Sequence, residues 1–79
     1  MDELAITSVL ARVLDDQLGR KDISPEDRLI EDLGIDSLGM IALIQAVEQA
    51  FAIEIADEDT EGIVIVQDLV NYLVRRLNG

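Results

Sequence analysis

The sequence predicts an all-α fold: a small bundle of three main helices plus one short helix, with a long first loop. Three observations carry this. Apolar residues recur at i, i+3, i+4, i+7 spacing in three stretches, the stripe of a helix that buries one face. The chain is 49% hydrophobic but only 3% aromatic, so its core is aliphatic. It has no cysteine, so no disulfide or thiolate-bound metal staples the fold and the core must hold it alone. At 79 residues, the length fits a single domain, residues 1–79, and is too short for a two-domain cleft.

The first helix is expected from Leu4 to Leu18, with Ile6, Val9, Leu10, Val13 and Leu14 on its inner stripe. Gly19 is a natural stop, with Arg20 and Lys21 beside the negative helix end. Residues 19–35 then form a long connection. Within it, Ser24-Pro25-Glu26-Asp27 reads as a single capped turn, with Ser24 as N-cap and Pro25 at N1. Leu29, Leu33 and Ile35 should pin this loop to the core. A loop this long in a small domain is usually functional or locally structured.

The second helix starts at Asp36-Ser37, with Asp36 placed to cap it, and runs to about Phe51. At 100° per residue, Met40, Leu43, Val47, Ala50 and Phe51 point inward, while Ser37, Gln45, Glu48 and Gln49 define the opposite side. Leu38, Ile41 and Ala42 fall on or beside that polar side, where solvent is expected. After an extended Ile53-Glu54-Ile55, the acidic run Asp57–Glu61 predicts a short third helix ended by Gly62. Ile63-Val64-Ile65-Val66 reads locally as a strand, but a lone strand would leave its backbone groups without partners. The last helix covers about Val66 to Leu77, with Val66, Leu69, Val70, Leu73 and Leu77 on one face. Asp68 in its first turn and Arg75-Arg76 in its last both complement the helix dipole.

Histidine and cysteine are both absent, which excludes Ser-His-Asp and Cys-His nucleophilic systems, His-ligated zinc and imidazole acid–base catalysis. The formal net charge is −11. Residues 22–68 hold thirteen of the seventeen acids and a single base, Arg28. Such a surface repels nucleic acid and anionic membranes, steers towards basic protein surfaces and disfavours self-association. The N-terminus is acidic and precedes no cleavable apolar run, and no segment is long enough to span a membrane. A cytoplasmic monomer is therefore expected.

The segment that carries chemistry is Glu31-Asp32-Leu33-Gly34-Ile35-Asp36-Ser37-Leu38. It places a serine hydroxyl in the first turn of a helix, where free N–H groups and the dipole's positive end favour a phosphate ester. No base is present to activate Ser37, so if it reacts another protein must do the activating. Here the chain resembles the acyl carrier protein family, whose signature stands as Asp36-Ser37-Leu38. Phe51-Ala52-Ile53-Glu54-Ile55-Ala56-Asp57-Glu58 resembles the family's second block, and Val66-Gln67-Asp68-Leu69-Val70-Asn71-Tyr72-Leu73 its last-helix block. The likeness covers essentially the whole chain, in order and at typical spacing.

The resemblance implies a discrete, stand-alone carrier that catalyses nothing itself. A phosphopantetheinyl transferase would attach 4′-phosphopantetheine, taken from coenzyme A, to Ser37, with Asp36 and Leu38 completing the attachment motif. The thiol of that arm would hold an acyl, polyketide or aminoacyl group as a thioester. Loading ligases or synthases with basic docking surfaces would contact Leu38, Ile41, Ala42, Gln45, Glu48, Asp57 and Glu58, with Asp32, Asp36 and Glu61 completing an acidic rim. Leu43, Val47, Phe51, Ile55 and Ile63 would line the acyl-chain cavity.

The chain also departs from the family pattern. The commonly acidic position two after the serine is Gly39, the second helix carries no acid before Glu48, and Ala56 replaces a usual proline. Ile65 replaces the threonine that typically caps the last helix. These changes point to a dedicated pathway, in lipid or secondary metabolism.

Two other readings compete. Asp57, Asp59, Glu61, Gly62 and Asp68 fall at positions 1, 3, 5, 6 and 12 of an EF-hand-like Ca²⁺ loop, although Ile65 at position 9 offers no ligand and position 12 is Asp rather than Glu. An unmodified helical adaptor would use the Leu38–Ile41 face and leave Ser37 free.

Overall fold

A computed structural model describes residues 1–79. Its helices are α1 (Glu3–Leu18), α2 (Ser37–Phe51), α3 (Asp57–Thr60) and α4 (Val66–Asn78), the expected three long helices and one short one. α1 packs against both α2 and α4. Asn78 Nδ2 donates to the Met1 carbonyl at 2.7 Å, tying the two ends of the chain together.

Each helix starts and stops for a local reason. The Asp2 carboxylate accepts from the Ala5 N–H at 2.8 Å and caps α1. Gly19 ends α1 in the left-handed region at φ 68°, its N–H returned to the Asp15 carbonyl. Arg20 does not serve the helix end but pairs with Asp22 at 2.8 Å. α4 has an apolar N-cap, Ile65, and Asp68 at N3 compensates. Its carboxylate accepts from the Val64 N–H at 2.9 Å and the Ile65 N–H at 3.0 Å.

The core is a single cluster of sixteen apolar side chains. Ile6, Leu10, Leu14, Leu43, Val47, Leu69 and Leu73 form its driest part, and Leu29, Leu33 and Ile35 pin the long loop as expected. One inward assignment differs, and one core residue had no assignment. Ala50 is exposed, because its single carbon lies at the edge of the Leu43–Val47–Phe51 arc in the last turn. Tyr72 is buried although Asp68, Arg75 and Arg76 flank it on the wheel. Its ring packs inside while its hydroxyl reaches Asp59 at 2.9 Å.

The long loop differs most from expectation. Residues 24–27 form a plain turn, and its side-chain cap runs the other way: the Asp27 carboxylate accepts from the Ser24 N–H at 2.9 Å. The apolar run after α3 is not an element without a partner. Its partner is this loop, through an isolated antiparallel bridge between Arg28 and Ile65. The Leu29 N–H donates to the Val64 carbonyl at 2.9 Å and the Val66 N–H to the Asp27 carbonyl at 3.0 Å. Two residues separated by nearly half of the chain thus close the end of the bundle where α2 begins.

Candidate functional site

Ser37 is the first residue of α2, and it is exposed. Asp36, immediately before it, has extended backbone and accepts from the Gly39 N–H through its carboxylate at 2.7 Å. The Met40 N–H closes the first helical bond on the Asp36 carbonyl at 2.8 Å. Of the four N–H groups a helix start leaves over, those of Ser37 and Leu38 stay available beside the hydroxyl. The Asp36 carboxylate is engaged by its cap. The Ser37 hydroxyl stands beside unused N–H groups at the positive end of α2, where a phosphoester finds donors.

An open cleft of about 620 Å³ adjoins Ser37, walled by Ile30, Ile35, Met40, Ile63 and Val64 and by Arg28. A smaller groove of about 230 Å³ follows along α2 towards α3, past Met40, Ile41, Ile44, Gln45 and Ile55. Among the residues expected to line an acyl-chain cavity, Ile55 reaches this groove and Ile63 the cleft. Leu43, Val47 and Phe51 lie inside the packed core. Met40, expected to point inward, is only half-buried at this groove, and Ile44, which the wheel assigned to neither side, lies half-buried beside it.

The docking residues named from the sequence separate into two kinds. Leu38 is 77% exposed and Ile41 56%, and Ala42 and Gln45 are exposed beside them. Asp57 and Glu58 are exposed on α3. Glu48 is not a free surface acid: it is half-buried, and its carboxylate accepts from the Ile55 N–H at 2.8 Å, fixing the α2–α3 connection. Asp32 and Glu31 are both held by Arg28, Asp32 at 3.1 Å. The hydrogen bond from Arg28 keeps the Asp32 carboxyl below the ordinary carboxylate range, helped by the Arg28 N–H and charge. The carboxylates of the EF-hand-like run do not converge on one point. Asp68 is spent on the α4 cap and Asp59 on Tyr72, and no three acidic groups form a cluster that could hold a metal ion.

What fold and site define together is a protein acted on by others. A lone exposed hydroxyl heads a helix beside an apolar cleft, on a bundle with no imidazole or thiol to work with. Residues 5–73 match the family described as phosphopantetheine attachment site. The chain is 40% identical over 77 residues to an acyl carrier protein of Syntrophobacter fumaroxidans, covering 95% of each. It is 39% identical over 72 residues to one of Nitratidesulfovibrio vulgaris, covering 89% of this chain and 95% of the relative. The chain belongs to the acyl carrier protein family. It is a carrier and not an enzyme, it bears a covalently attached 4′-phosphopantetheine, and it interacts with a phosphopantetheinyl transferase and with acyl-handling enzymes. No helix is long and apolar enough to cross a membrane.

Proposed function

We propose that the prosthetic group is attached through Ser37 Oγ, and that the chain carries its acyl group from this point among partner enzymes. The observation that carries the assignment is the exposure of that hydroxyl at the head of α2, next to an open cleft of about 620 Å³. The residues fit the group. The Ser37 and Leu38 N–H groups are left over at the helix start and would donate to a phosphodiester, Asp36 keeps the helix start in place, and Ile35, Met40 and Ile63 offer apolar wall. When bound, the group supplies the thiol that this chain lacks.

Leu38, Ile41, Ala42 and Gln45 form the docking face, and the exposed acids Asp57, Glu58 and Glu61 flank it and draw basic partner surfaces. An acyl chain enters through the groove at Met40, Ile44 and Ile55 and is sheltered against Leu43, Val47, Phe51 and Ile63. The chain works as a cytoplasmic monomer, and its uncharged start of α2 selects the enzymes of a dedicated pathway rather than those of primary fatty acid synthesis.

The test is intact-mass analysis after incubation of the apo chain with coenzyme A and a promiscuous phosphopantetheinyl transferase. The native chain is expected to gain one phosphopantetheine and Ser37→Ala none. A gain retained by Ser37→Ala would overturn the assignment of the site.

A further inference from the structure

The cleft beside Ser37 and the groove that runs towards α3 have only two wall residues in common, Met40 of α2 and Thr60 of α3. Ser37 walls the cleft and not the groove, while Ile44 and Ile55 wall the groove and not the cleft. A chain that leaves the cleft for the groove along these walls crosses between Met40 and Thr60.

The two posts of this neck are unlike. Thr60 is fixed: its hydroxyl donates to the Asp57 carbonyl at 2.7 Å, and the neighbouring Asp59 is tied to the Tyr72 hydroxyl. Met40 is half-buried against the edge of the core, and its unbranched thioether turns about three bonds with little resistance. Every other apolar side chain around either hollow is isoleucine or valine, β-branched and stiff at χ1. Deeper on the same helix the way inward is shut, because Leu43 and Val47 are 1% and 0% exposed. Met40 is thus the one apolar wall residue whose rotation widens the passage while the core stays closed.

Resting on the assignment of Ser37 as the attachment point and on the groove as the cargo's shelter, we propose that Met40 is the gate between the two and selects the cargo that the carrier covers. It swings aside for an unbranched alkyl chain, which needs only the width of a row of methylenes, and then lies against that chain as a soft apolar wall. Aromatic acyl groups are too wide for a neck whose other post is fixed, and they stay in the open cleft.

The probe is the carrier itself, loaded by a promiscuous phosphopantetheinyl transferase from coenzyme A, octanoyl-coenzyme A or phenylacetyl-coenzyme A, with complete loading checked by intact mass. The readout is the thermal midpoint of each acyl form minus that of the unacylated, phosphopantetheine-bearing form of the same variant, so that a variant's own stability cancels. In the native chain the octanoyl group should add about 5 °C and the phenylacetyl group no measurable gain. Met40→Trp should lose the octanoyl gain. Met40→Ala, which only shortens a half-buried side chain and keeps the test decidable if Met40→Trp does not fold, should retain that gain and acquire one for phenylacetyl. Gln49→Trp adds the same bulk at an exposed position of α2 outside both hollows and should match the native chain. Nuclear Overhauser contacts from the Met40 methyl to the octanoyl methylenes are expected in the native chain and need no variant.

An octanoyl gain that survives Met40→Trp would overturn the gate, as would its loss in Gln49→Trp or a Met40 methyl out of contact with the octanoyl chain. A native phenylacetyl gain equal to the octanoyl one, or none in Met40→Ala, would overturn the selection of cargo by this residue. All of these leave the shelter standing. A native chain that gains nothing from octanoyl strikes the shelter and the gate together, and a gain of mass in Ser37→Ala strikes the attachment point instead.

Discussion

The interior where α1, α2 and α4 meet and the short helix α3 are held by different forces, and the long loop sides with the interior through buried Leu29, Leu33 and Ile35. In the first, Ile6, Leu10, Val47, Leu69 and Leu73 are almost wholly removed from water, and no polar side chain is buried among them. The second is four residues long and buries none of them. It is kept in place by polar ties. Tyr72 donates to Asp59, Arg76 donates to the Tyr72 hydroxyl at 2.6 Å and to the Glu54 carbonyl at 2.7 Å, and Glu48 holds the Ile55 N–H. Apolar area sets the frame, and individual hydrogen bonds set the functional edge. A carrier gains from that division, because an edge held by a few exposed bonds yields to a partner or a cargo at small cost while the frame stays shut.

The sharpest way to break this comparison is to remove area from the frame. Leu73→Ala deletes a fully buried side chain of α4 and should destabilise the fold by about 3 kcal/mol, a large share of what a domain this small possesses. Urea unfolding followed by circular dichroism checks it. A loss below about 1 kcal/mol would show that the frame repacks freely and that the two sides do not differ as argued.

A change in a polar tie should cost less and should depend on pH. Asp68→Asn weakens the cap of α4, and about 1 kcal/mol of stability should go with it at neutral pH. The Ile65 N–H, and after it the Val64 N–H, hold the Asp68 carboxyl below its ordinary value in the folded chain. A carboxyl depressed on folding stabilises above its unfolded pKa, and that contribution disappears as pH falls through the folded value. The stability gap between native chain and variant should therefore be constant from neutral pH down to the ordinary carboxylate range and close only as pH falls below that range, through the lowered folded value. Urea midpoints measured across that range test it, and a gap that does not narrow would show that the carboxylate's charge plays no part in the cap.

The same division explains what was legible in the sequence. Helices α1, α2 and α4 were readable because area burial writes a periodic pattern, and Ile6, Leu10, Leu14, Leu43, Val47, Leu69 and Leu73 all obey it. The position of Ser37 was readable because capping is local: Asp36 bonds a residue only three positions away. What escaped was non-local and polar. Nothing near Val64 announces that its carbonyl is bonded to Leu29, and nothing near Glu48 announces that Ile55 engages it. Tyr72 was missed because half of it is apolar and half is tied to Asp59 and Arg76.

Gly39 is where the two kinds of information conflict, and it should give the smallest effect. By propensity alone, glycine in the first turns of α2 costs about 1 kcal/mol relative to alanine, so Gly39→Ala should stabilise. In the fold, a Cβ there would lie 3.0 Å from Ile35 Cγ2 and 3.1 Å from Asp36 Oδ1. One of these belongs to the residue that pins the loop, the other to the carboxylate that caps the helix. Either must move by a few tenths of an ångström, and moving Asp36 lengthens the bond to the Gly39 N–H. The two effects oppose each other, so the net change should stay within about 0.5 kcal/mol, read as a nearly unmoved urea midpoint. A full gain of about 1 kcal/mol would mean that Ile35 and Asp36 give way without cost, placing the start of α2 among the yielding parts of the molecule. A comparable loss would mean that the helix start is as tightly fitted as the interior, and that the rigid frame extends up to Ser37 itself.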